Sequence, residues 1–162
     1  MRGRIASSVV VAAAILVGTA GCNLVAPQTT TEHYFASDGV STSAGALDVR
    51  NAVIIAPDGT EGNLVMTVVN PTEKQSVLRI QYEASDGTKT DDAVLAPASS
   101  TTSIGGEGDQ TVTLTDIDAK PGSLFPVFFT AGDSEGKQVL VPVLNAGLPE
   151  YSTLAPSSSS AN

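Results

Sequence analysis

Between Val77 and Ala84, the apolar residues Leu78, Ile80, Tyr82 and Ala84 alternate with Arg79, Gln81 and Glu83. That is the period of two expected of a strand with one buried and one wet face. Val112 and Leu114 alternate with Thr111, Thr113 and Thr115 in the same way. Further β-rich runs cover Leu47 to Ile55, Asn63 to Asn70, Leu124 to Thr130 and Val139 to Leu144, with a weaker one at Asp92 to Leu95. Turn chemistry separates them, at Asp58-Gly59, Asn70-Pro71, Asp86-Gly87, Gly105 to Asp109, Pro121-Gly122 and Gly132 to Gly136. No stretch beyond the N-terminal region sustains a helical apolar repeat over about ten residues. The pattern predicts an all-β domain, about seven strands in an immunoglobulin-like (Greek-key) β-sandwich.

Two strands depart from simple alternation. Val139, Val141 and Val143 share one face, yet Leu140, Pro142 and Leu144 on the other are apolar too, and Leu124 to Phe129 is apolar on both faces. Proline cannot donate to a β-ladder, so Pro126 and Pro142 point to an edge or an irregular pairing. Leu140, Pro142 and Leu144 therefore form a candidate partner face. Three arrangements satisfy it: the segment Gly147 to Leu154 folds back over it with Leu148, Tyr151 and Leu154; it receives a partner protein or an acyl ligand; or it is a central strand position.

The N-terminus follows a different logic. Arg2 and Arg4 precede an uncharged apolar stretch from Ile5 to Val17 and the small-residue run Gly18-Thr19-Ala20-Gly21, the order of a secretory signal. Its apolar core is too short to span a bilayer, which takes about 20 apolar residues. Cys22 follows directly and is the only cysteine of the chain. The combination resembles the lipobox of bacterial lipoprotein precursors, with Thr19 where the usual residue is aliphatic. The resemblance implies that Cys22 is acylated and becomes the new N-terminus, placing the protein on the extracytoplasmic side of the cell membrane; two or more acyl chains anchor stably.

The expected organisation is then signal peptide 1–21, acylated cysteine and tether 22–44, β-sandwich 45–148, and C-terminal segment with a low-complexity tail 149–162. The tether, with Pro27, Thr29 to Thr31 and Gly39, lacks apolar periodicity. At a reach of about 25 Å it would let the domain stand off the membrane.

Charge and residue supply narrow the chemistry. Removal of the signal leaves six basic against seventeen acidic side chains, a formal net charge near −11, which argues against nucleic acid as a partner. With no tryptophan, three tyrosines and four phenylalanines, aromatic platforms for carbohydrate are scarce. Nucleophilic catalysis needs a base beside a hydroxyl or thiol, and the one histidine, His33, sits in the tether. The glycine loop Gly105 to Asp109 has neither a helix behind it nor a lysine, and its acids would repel phosphate. Carboxylates remain. Glu107, Asp109, Asp133 and Glu135 are weak candidates for a calcium site, conditional on their loops meeting at one end of the sandwich. The expectation is a non-enzymatic, membrane-anchored binding or accessory module without a cofactor, with an envelope protein as candidate partner. Metal handling is the alternative: of calcium by these acids, or of copper as a resemblance to periplasmic copper chaperones implies.

Two resemblances bear on this. Tyr34-Phe35-Ala36-Ser37-Asp38-Gly39-Val40, Leu47-Asp48-Val49-Arg50-Asn51-Ala52, and Val141-Pro142-Val143-Leu144 before Leu148-Pro149-Glu150-Tyr151 look like a family of uncharacterised actinobacterial lipoproteins. That family implies an extracytoplasmic anchor and a β-sandwich. More distantly, the order Gly62 to Asn70, Thr111 to Leu114 and Pro121 to Leu144 is similar to the periplasmic copper chaperones of the cupredoxin-like sandwich class. Those hold copper with histidine and methionine, soft ligands suited to Cu(I). Here that motif is absent: His33 lies in the tether, and Met66 sits mid-strand as a core residue.

Overall fold

The computed structural model describes residues 38–156. Among these residues nine strands follow one another: β1 (Val40–Ala44), β2 (Leu47–Ile55), β3 (Gly62–Asn70), β4 (Ser76–Glu83), β5 (Lys89–Ala96), β6 (Ser100–Ile104), β7 (Thr113–Leu114), β8 (Leu124–Ala131) and β9 (Lys137–Leu144), before one helical turn, α1 (Pro149–Ser152). Hydrogen bonding runs along the path β5-β4-β8-β9-β2-β3-β6, with β1 on β2 and β7 on β3. The path folds into the two layers of a β-sandwich. In one layer β4, β5, β8 and β9 pair antiparallel. In the other, β2 pairs with β1 and β3, and β3 with β6 and β7. The seam is β9, whose Val143 and Leu144 pair in parallel with Ile54 and Ile55 of β2.

Alternation decides which residues meet between the layers. Leu64, Met66 and Val68 of β3, Leu78 and Ile80 of β4, Val127 and Phe129 of β8, and Val141 and Val143 of β9 are each at most 2% exposed and form one core. Tyr82 joins them with its polar end satisfied. Its hydroxyl accepts the backbone N–H of Thr115 at 2.9 Å, so β4 of one layer is tied to the chain leaving β7 in the other.

The structure adds strands where the sequence pattern shows none. β1 lies inside the stretch assigned to the tether, so the boundary expected at Ala44 moves back beyond Val40. Its sequence, Val-Ser-Thr-Ser-Ala, carries little apolar signal because it is an edge strand held by polar groups. Gly39 N–H donates to Asn51 Oδ1 at 3.0 Å, and Asn51 N–H donates to Ser41 Oγ at 3.2 Å. Asn51 itself sits at φ 51°, inside the register shift of β2 between Arg50 and Val53, a left-handed conformation that asparagine tolerates. β6, Ser-Thr-Thr-Ser-Ile, escapes notice for the same reason, with Ile104 its one core residue. The C-terminal boundary moves too, since the chain beyond Leu148 packs on the sandwich as far as Leu154.

Candidate functional site

The outer face of β8 and β9 follows from their pairing. Leu124 stands opposite Pro142, and Pro126 opposite Leu140. The inward parity of Phe125, Val127, Val141 and Val143 forces these partners outward. Leu124 is 59% exposed and Leu140 51%, while Pro142 and Leu144 are half-buried. Neither β8 nor β9 is an edge strand, contrary to one expectation from the prolines; the irregular pairing is the device used. The β4 ladder along β8 stops at Val127, and the β2 ladder along β9 starts at Val143. Each proline therefore stands one residue outside its strand's second ladder, where a missing N–H breaks no pair.

Phe128 continues the strip toward the β8–β9 turn. Its ring lies against Gly136, where φ is +73° and where a Cβ added to the glycine would stand 2.6 Å from Phe128 Cε1 and 2.5 Å from Thr130 Oγ1. Beside the ring is a shallow groove of about 360 Å³ lined by Gln81, Glu83, Lys89, Pro126, Phe128 and Gln138.

The segment after β9 covers this face only at one end. Leu148 and Tyr151 border Leu144, Val143 and Gly122, yet Leu148 is itself 51% exposed. Leu154 turns away from the strip, and its carbonyl accepts from Asn63 Nδ2 at 2.8 Å. The Tyr151 hydroxyl donates to the Asp38 carboxylate. That bond, with local burial, raises the Tyr151 phenol to about 12. Leu124 and Leu140 remain bare.

A second concavity, of about 580 Å³, opens where β3 meets the β6–β7 loop, between Glu61, Asn63, Gly105, Thr111, Thr113 and Thr153. The Asn63 amide also donates to Gly105 O at 2.8 Å, while its Oδ1 is buried without a partner. Neither bond was visible in the sequence, because each joins residues distant along the chain; a buried asparagine at a strand start was the sole trace.

The acidic candidates do not converge. β6 ends near the start of β3, so Glu107 and Asp109 lie at the end of the sandwich where β2 and β9 finish. Asp133 and Glu135 lie in the β8–β9 turn, at the end where Gly45 of the β1–β2 turn approaches Ala131 O and Ser134. Opposite ends cannot supply one ion, and among the described residues no three His, Cys, Asp or Glu groups are placed to hold a metal. Met66 is 2% exposed, sealed in the core as expected. Cys22 and His33 lie outside the described residues.

No family model and no curated protein matches the chain. Solved structures do. The apo PmoF2 PCuAC domain superposes with a TM-score of 0.51 at 18% identity, over 67% of this chain and 98% of that one. The apo PCuAC domain from PmoF1 gives 0.50 at 15% identity, over 64% and 98%. At these identities the likeness is one of fold, and it is the fold toward which the strand order pointed.

Proposed function

We propose that the chain is a non-enzymatic lipoprotein, held on the extracytoplasmic side of the membrane by acylated Cys22, whose sandwich is a binding module of the envelope with the outer face of β8 and β9 as its contact surface. The carrying observation is that this face exposes Leu124 and Leu140 beside two prolines, with no charged residue at the outward positions of either strand, in a chain of net charge −9. Two measurements test it. Cys22→Ala should lose incorporated palmitate and leave the membrane fraction; retention there refutes the anchor. A photoreactive residue at position 140 should give adducts in cells that one at Thr101, on the outer face of the other layer, does not; equal yields refute the contact face.

Metal handling is the second reading, favoured by the likeness to PCuAC copper-chaperone domains. On this reading a thermal shift appears with Cu(I) or Cu(II) and disappears with chelator. The soft ligand for copper would be His33, since Met66 is sealed. A histidine-free variant that keeps its copper shift refutes that assignment.

A further inference from the structure

We infer that the strip on β8 and β9 docks on the surface of the bilayer itself, so that the domain lies against the membrane instead of standing away from it. This rests on reading Cys22 as the anchor, and adds to it a contact that Cys22 does not make.

The exit point of the chain comes first. The described chain begins at Asp38, whose carboxylate takes the Tyr151 hydroxyl. Tyr151 borders Leu144, Leu148 and Gly122. Gly122 N–H donates to Val143 O at 2.8 Å, and Val143 N–H to Ser123 O at 2.9 Å. Leu124 and Pro142 follow directly. The stretch running back to Cys22 therefore leaves the domain beside the apolar strip, not at the acidic β8–β9 turn, which is at the other end.

Length is the second argument. Fifteen residues separate Cys22 from Asp38, seven fewer than a tether ending at Ala44 would have. Even fully extended they span at most about 55 Å. A tether this short keeps the domain at a local concentration in the millimolar range relative to the surface it is attached to. Weak apolar contacts then suffice to seat it.

Chemistry is the third. The outward residues of the strip, Leu124, Pro126 and Phe128 on β8 and Leu140, Pro142 and Leu144 on β9, carry no charge, and Leu148 extends the patch. None of the sixteen acidic groups among the described residues stands at these positions; Glu83 lines the groove beside Phe128. A neutral apolar face on an acidic body suits a lipid interface that is entered by apolar contact and not by attraction to anionic headgroups.

The chain has no tryptophan and one cysteine, which makes the test direct. The processed chain, Cys22 to Asn162, is coupled through Cys22 to maleimide-bearing lipid in phosphatidylcholine vesicles, with a single reporter at L140W or, as control, T101W. Chemical coupling supplies the anchor, so failure of docking is distinguishable from failure of acylation in cells. The expected result is a blue shift and quenching by brominated lipid for L140W and neither for T101W. Adding Leu124→Ser should lower the docked-to-undocked ratio about fivefold to tenfold, as removal of one half-exposed leucine contact implies. The inference is overturned if L140W emission is the same coupled and free, or if both reporters respond equally. It is also overturned if uncoupled L140W shifts with protein concentration, which would make a second copy the occupant.

Discussion

Replacing Asn70 tests the idea that one buried amide holds the two layers together at the end of β3. Asn70 is 1% exposed. Its Nδ2 shares two hydrogens among Lys74 O at 2.8 Å, Ala96 O at 3.0 Å and Pro97 O at 3.0 Å. Its Oδ1 accepts from Thr72 N–H at 3.0 Å and Thr72 Oγ1 at 2.7 Å. Ala96 ends β5, so the amide joins a strand of one layer to a strand of the other. In Asn70→Ala, Ala96 O loses its buried amide donor, at about 1–1.5 kcal/mol, and the part-buried bonds add about 0.5–1 kcal/mol each where water replaces them poorly. The expected loss is about 2–4 kcal/mol. With a urea slope of about 2 kcal/mol/M, the midpoint of denaturation falls by roughly 1–2 M.

Asn70→Asp sharpens the test, because it keeps the shape and removes both donors. Its carboxylate would face three carbonyl oxygens, so at neutral pH it should destabilise more than alanine, by roughly 3–5 kcal/mol. Those oxygens and burial raise its folded pKa above the unfolded value. The folded state then binds the extra proton, and the destabilisation appears as pH rises above the unfolded pKa and grows until the raised one is passed. Circular dichroism in urea at several pH values checks both variants. A loss below about 0.5 kcal/mol for Asn70→Ala, or an Asn70→Asp no worse than alanine at pH 7, would refute the account.

Three further outcomes follow from the geometry. Tyr82→Phe removes the acceptor of the Thr115 N–H and should cost about 1–2 kcal/mol in urea melts, with the core otherwise unchanged. Gly136→Ala places a methyl group where Phe128 and Thr130 already stand and demands a left-handed alanine; a loss of about 1–3 kcal/mol and altered Phe128 ring shifts in NMR are expected. In a spectrophotometric titration, one tyrosine should ionise only near 12 and vanish from the curve in Tyr151→Phe. Because that pKa is raised above the unfolded value, the stability from the Asp38 contact is present in full below the ordinary tyrosine pKa of about 10 and is lost as pH rises toward the folded value.

Sequence alone determined the class of the fold and its core. Leu78, Ile80 and Tyr82 in β4, and Val141 and Val143 in β9, are buried as their alternation requires, because a strand's two faces are set by local geometry. It also marked Leu140, Pro142 and Leu144 as anomalous, since apolar residues at outward parity need no knowledge of neighbours to be noticed. Tertiary structure alone decided what that anomaly meant. Whether Leu148 to Leu154 covered the strip depended on where Asn63, on another strand, held Leu154 O. Whether four acids met depended on which loops share an end of the sandwich, which follows from strand direction and pairing and not from composition. β1 and β6 were invisible for a related reason: hydrogen bonds to β2 and β3, supplied by partners distant in the chain, hold these small polar segments as strands, and a sequence read locally cannot show a partner's unpaired edge.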